Sequence, residues 1–114
     1  MMKKSDITIS VGLNSENMPA EIAWAASGSP ENSEFQPCKA MLLSLFDTAT
    51  KDTLKIDLWT VDMQIGEMDR FFYQTLRGLA DTYQRATQNK ELANQMQQFA
   101  TFFGEQVEMI PKEK

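Results

Sequence analysis

The side chains of this sequence that could do chemistry are few, and most of them are carboxylates. Histidine is absent altogether, which removes the commonest general base, the commonest transition-metal ligand and every histidine-containing triad. The single cysteine, Cys38, has no histidine to take its proton, and a small buried apolar role suits it better than nucleophilic attack. One cysteine cannot close an internal disulfide or build a zinc site. The glycines Gly12, Gly28, Gly66, Gly78 and Gly104 stand singly, so no glycine-rich loop cradles a phosphate. Among the acids, Asp47 and Asp52 bracket DTATKD (47–52). That stretch lacks the alternating acids, glycine and distant glutamate of a calcium loop and reads as a solvated turn. No spacing singles out a pair of carboxylates as an acid–base dyad. The expectation is a protein that is not an enzyme, with no catalytic residues, cofactor or metal.

Aromatic surface is what the chain has in excess. TLKIDLWT (53–60) alternates as a strand, with Leu54, Ile56 and Leu58 on one face and Lys55, Asp57 and Trp59 on the other. Lys55 and Asp57, two residues apart on one side, are placed to form a surface ion pair. A tryptophan beside such a pair has the composition of an interface anchor with a polar surround. Further on, Phe71, Phe72 and Tyr73 stand side by side. On a helix they cover about 200° of circumference, whereas packing on one neighbour needs a stripe of about 100°. Phe72 belongs to the apolar stripe; Phe71 and Tyr73 fall off it, either against a partner helix of the same subunit or on a contact surface. Lys55, Asp57, Trp59, Phe71 and Tyr73 are the candidate interaction residues.

The elements that must position them follow from periodicity. DITISVGL (6–13) and EIAWAAS (21–27) read as two strands of a hairpin joined by NSENMP (14–19). GSPENSE (28–34) reads as a mobile connection. In QPCKAMLLSLFD (36–47), Met41, Leu43 and Leu45 fit one face of a strand. The good helix formers, the lack of β-branched residues and Pro37 in a tolerated first-turn position favour a short buried helix instead. A long helix begins with Gln64 as cap and Glu67 as capping-box acid and runs to about Thr87. Its stripe is Ile65, Met68, Phe72, Leu76, Leu79, Tyr83 and Ala86. A second helix, roughly 90–108, is capped by Asn89 and carries Leu92, Met96, Phe99, Phe103 and Val107. The expected fold class is α+β: an antiparallel sheet of three or four strands packed against helices, ending in an antiparallel helix pair. Residues 1–114 are expected as a single domain with frayed ends at about 1–4 and 109–114.

Hydrophobic residues make up 42% and charged residues 24% of the chain, ordinary globular composition. A net charge of −5 repels phosphate backbones and anionic membrane surfaces, so nucleic acid is a poor partner. MMKKSDITIS (1–10) lacks the apolar run of a signal peptide, and no window is apolar for long enough to span a bilayer. The expectation is a cytoplasmic chain without membrane insertion, its cysteine reduced.

KAMLLSLFD (39–47), TLKIDLWTVDM (53–63), EMDRFFYQTL (67–76) and ADTYQRAT (80–87), in this order and spacing, resemble the gliding-motility GldC family of the Bacteroidetes. KKSDITISVGL (3–13) and EIAWAAS also fit that family's opening. Gln64 departs from the Thr-like cap common there, and Phe46–Asp47 keeps Phe where Trp is usual. The resemblance implies a small cytoplasmic protein associated with gliding over surfaces, in a supporting rather than a motor role, with no catalytic residue to carry over. The expected partners are proteins, self-association among them. The alternative is a carrier that holds a small apolar ligand or a peptide between the sheet and the methionine-rich helices.

Overall fold

A computed structural model describes residues 2–28 and 34–111. Its elements are β1 (Ile7–Leu13), β2 (Pro19–Ala26), β3 (Gln36–Cys38), β4 (Ala40–Phe46), β5 (Thr53–Trp59), α1 (Ile65–Thr87) and α2 (Lys90–Gln106). The class is α+β, with strands in sheets of three and two and a C-terminal helix pair. Most of GSPENSE lies outside the described residues. The chain divides into two compact units, Met1–Met63 and Gln64–Lys114, and each is described by itself.

In the first unit the alternation of the opening strands becomes an antiparallel pair, Ile9 opposite Trp24 and Val11 opposite Ile22. Asn14 closes the turn. Its Oδ1 accepts from the backbone N–H groups of Glu16 and Met18 at 2.8 and 3.1 Å, the local bonding that makes asparagine a turn residue. β3 adds to β2, giving the order β1-β2-β3 and placing Cys38 opposite Ile22. Ile22, 2% exposed, is the centre of what this unit buries.

The helix expected over residues 37–47 is not there. β3 and β4 occupy the segment, separated only by Lys39. Pro37 sits on the edge strand of its sheet, where a missing donor N–H is tolerated. The helix propensity of Ala, Met and Leu is a weak prior. It yields to a matching partner: Met41, Leu43 and Leu45 stand opposite Leu58, Ile56 and Leu54 of β5. Cross-strand pairs of this kind contribute roughly 0.2–1 kcal/mol each.

DTATKD is the turn joining β4 to β5. The Asp47 carboxylate accepts from the N–H groups of Thr50 and Ala49 at 2.8 and 3.0 Å, and Lys51 takes a left-handed φ of 61°. The Thr50 N–H, then the Thr50 hydroxyl and the Ala49 N–H, hold the Asp47 carboxyl below its ordinary pKa. A carboxyl depressed by folding contributes stability above its unfolded pKa and loses it as pH falls through the lower folded value. The β4–β5 turn should therefore loosen only below the usual carboxylate range. Following the Asp47 carboxyl by NMR titration checks this, and Asp47→Ala should remove that part of the acid dependence.

After β5 the chain is pinned at once. Thr60, 4% exposed, donates its N–H to the Lys39 carbonyl at 2.8 Å and its hydroxyl to Asp62 Oδ1 at 2.6 Å. That hydroxyl is the main reason the Asp62 carboxyl lies below its ordinary pKa. Val61 N–H reaches the Pro19 carbonyl at 3.0 Å, tying the exit of β5 to the start of β2.

In the second unit the helix entry is as read from the sequence: Gln64 is the N-cap, and its N–H donates to Glu67 Oε1 at 2.9 Å. α1 ends at Gln88, which is left-handed with φ 63°. Asn89 Oδ1 then accepts from Leu92 N–H at 3.1 Å to start α2. The helices run antiparallel, since later residues of α2 meet earlier residues of α1. Gln97 Nε2 donates to the Arg77 carbonyl at 3.3 Å, and Gly104 lies against the Tyr73 ring. The seam between them is made of small residues: Ala80, Ala93, Ala100 and Gly104 are all buried. Met109 and Ile110, in the tail expected to fray, turn back and donate to the Gly104 carbonyl at 2.7 and 3.2 Å.

Candidate interaction surface

Register decides which side chains share a face of the β4–β5 hairpin. One face carries Met41, Leu43 and Leu45 with Leu54, Ile56 and Leu58, all apolar. Leu45 and Leu54 are at least half exposed. The other face carries Lys55, Asp57 and Trp59, opposite Ser44, Leu42 and Ala40. A two-stranded hairpin is marginal alone and needs an apolar face covered or a further strand to be stable. Here both faces carry exposed large apolar groups.

The sequence places Lys55, Asp57 and Trp59 together, and the structure keeps them so. Lys55 Nζ and Asp57 Oδ2 are 2.8 Å apart; with both side chains largely in solvent, the pair contributes no more than ~1 kcal/mol. Its effect is positional, fixing two opposite charges beside Trp59. The indole stands opposite Ala40, the smallest cross-strand neighbour on that face, and is 54% exposed. A large amphipathic ring, half in water and flanked by a fixed ion pair, is suited to docking against another protein.

Phe71 and Tyr73 lie on α1, and for Tyr73 the helix pair accounts for much of its surface. The Tyr73 ring faces α2, close enough that a Cβ on Gly104 would sit 2.7 Å from its Cε1. Arg77 lies over the ring, 5.9 Å from its centroid, and donates from Nη1 to the Tyr73 hydroxyl at 3.4 Å. Phe71 is half-buried, edge-on to Phe72 at 6.1 Å. The larger exposed apolar groups of this unit are Ile65, Phe72, Leu79, Leu92, Phe99 and Phe102. Most of them sit on the stripes that periodicity marked as core. Between the two helices, Leu76, Leu79, Gln95, Met96 and Phe99 line an open groove of about 340 Å³. Among the described residues no group of three or more Cys, Asp or Glu side chains is placed to hold a metal ion. No helix among them is long and apolar enough to cross a membrane.

Compared with known families, residues 19–109 match the model of the gliding motility-associated protein GldC-like family. The chain is a GldC-like protein. No curated protein matches it, and no solved structure does. The GldC-like match takes in β2 through α2 and the turn that follows. Trp59 with its ion pair, the apolar hairpin face and the helix pair all lie inside the region that defines the family.

Proposed function

We propose that this GldC-like chain is a non-catalytic, cytoplasmic accessory protein of gliding motility that works by protein–protein contact, with Trp59 and the Lys55–Asp57 pair of β5 as its anchor. One observation carries the reading: Trp59 is 54% exposed on a strand whose neighbouring charges are already paired with each other. The family match supplies the setting, and the absence of histidine leaves contact as the simplest mode of action. A partner meeting this face covers an aromatic ring without having to neutralise a lone charge, because the lysine and aspartate satisfy each other. The groove between the two helices is open rather than enclosed, unlike the pockets that bury small ligands.

Because the ring is half in water, Trp59→Ala should change stability by less than ~1 kcal/mol. The same change should cut recovery of specific partners from the source cells about tenfold or more, the loss expected for an interface anchor. Capture with a tagged chain, quantified by mass spectrometry beside a urea unfolding curve, tests this. Equal recovery of every partner by the two proteins would refute the assignment.

A further inference from the structure

β5 has β4 as its only neighbour in a sheet of two strands. In an antiparallel ladder the backbone groups of successive residues point alternately toward the partner strand and away from it. Two bonds fix the phase here. Asp47 N–H donates to the Asp52 carbonyl at 2.9 Å, and Thr60 N–H to the Lys39 carbonyl at 2.8 Å. In the register of β4 with β5, Leu54, Ile56 and Leu58 therefore turn their N–H and C=O groups toward β4. Thr53, Lys55, Asp57 and Trp59 turn theirs to the outer edge, where among the described residues no strand or backbone group meets them. Such a row is a template for a further strand, and helices, which bond their backbone groups internally, cannot supply one. We propose that a second copy of this chain pairs at this edge. The two β5 strands run antiparallel with Ile56 on the twofold axis, making one sheet of four strands.

Charge complementarity selects both the occupant and the register. With Ile56 opposite itself, Lys55 of each copy lies opposite Asp57 of the other. These are residues whose backbone groups face outward, so each such pair exchanges two backbone hydrogen bonds as well as opposite charges. Leu54 then meets Leu58 of the second copy, and the apolar face of the hairpin continues across the axis. The neighbouring registers that keep the backbone bonds centre on Lys55 or on Asp57, and each sets like charges face to face. A lone lysine on an edge discourages pairing. A lysine and an aspartate two residues apart instead answer each other when the strand meets its own copy. The outer edge of β4 carries no such code, since its outward residues Ala40, Leu42, Ser44 and Phe46 are uncharged. Pairing of β5 with β5 is isologous and closes at two copies. It also turns a hairpin that is marginal alone into a sheet of four strands. The inference reaches beyond the Trp59 reading and does not rest on it, because it uses the edge of β5 and leaves the indole on the face.

Sedimentation of the purified full chain at micromolar concentration should give twice the chain mass of 13.0 kDa. Lys55→Asp and Asp57→Lys should each weaken self-association about tenfold or more, because two cross-strand pairs turn from attractive to repulsive. Both changes also break the ion pair within the chain, so a third measurement separates the two effects. Mixing the two variants in equal amounts should restore a dimer at least as tight as that of the wild type, since every lysine on the shared edge then faces an aspartate. A single-chain mass for the wild type over the whole concentration range overturns the proposal. So does a dimer that neither variant weakens, or a mixture that associates no better than either variant alone. Because no other protein is present, a monomeric result removes the second copy from this edge and leaves the capture of partners through Trp59 to its own test.

Discussion

Ile22→Ala should cost about 2–4 kcal/mol, the range for truncating a buried aliphatic side chain whose surroundings only partly relax. Among the described residues, Ile22 is the largest side chain buried completely. It stands opposite both Val11 and Cys38, joining the three strands β1, β2 and β3. Among the described residues of this unit no other apolar side chain is as fully removed from water. Domains have net stabilities of only about 5–15 kcal/mol, and the loss would take a large share. Urea unfolding should show a lower midpoint at an unchanged slope. A cost below ~1 kcal/mol would mean that the unit is held together elsewhere.

Gly104→Ala and Gly78→Ala should act in opposite directions although both lie within helices. In a helix interior, alanine is favoured over glycine by about 1 kcal/mol. At Gly78 nothing stands within 4 Å of an added Cβ, so the change should stabilise by roughly 0.5–1 kcal/mol. At Gly104 the Cβ would lie 2.7 Å from Tyr73 Cε1 and 2.9 Å from Ile110 Cδ1. The isoleucine tip can turn away, but the tyrosine ring is held between Arg77 and the α2 backbone. Overpacking of this kind costs ~1–3 kcal/mol, which outweighs the propensity gain and leaves a net loss. The same substitution in a Tyr73→Ala background should lose most of that penalty, a coupling that a double-mutant cycle reads directly. Stabilisation by Gly104→Ala in the native background would show that the helices do not approach closely there.

These two predictions also show what the sequence could and could not reveal. The β1–β2 hairpin, the Gln64–Glu67 and Asn89 caps and the Asp47 turn were legible because each is decided by residues close together in the chain. The Lys55–Asp57 pair and the orientation of Trp59 followed from alternation along one strand. Residues 37–47 fit either a helix or a strand by local preference, because their fate depends on β5, whose facing residues Leu54, Ile56 and Leu58 lie across a turn. Local preference could not show that partner. The helix seam was hidden for a related reason. Periodicity identified Ile65, Phe72, Leu79, Leu92 and Phe99 as apolar faces but could not say what they meet. The contact between α1 and α2 uses Ala80, Ala93, Ala100 and Gly104, where absence of bulk is the signal. Tyr73, which the sequence leaves between a partner helix and a contact surface, turns to that seam, where Gly104 leaves room for its ring.

The central claim is that contact surfaces rather than reactive groups are the working parts of this GldC-like protein. Gliding of cells that lack it, restored by variants expressed at equal abundance, tests that most directly. The account predicts that a chain with Asp47→Asn and Asp52→Asn together restores gliding as the wild type does, while Trp59→Ala restores little or none. Full restoration by Trp59→Ala, with loss of gliding when the two carboxylates are neutralised, would contradict it.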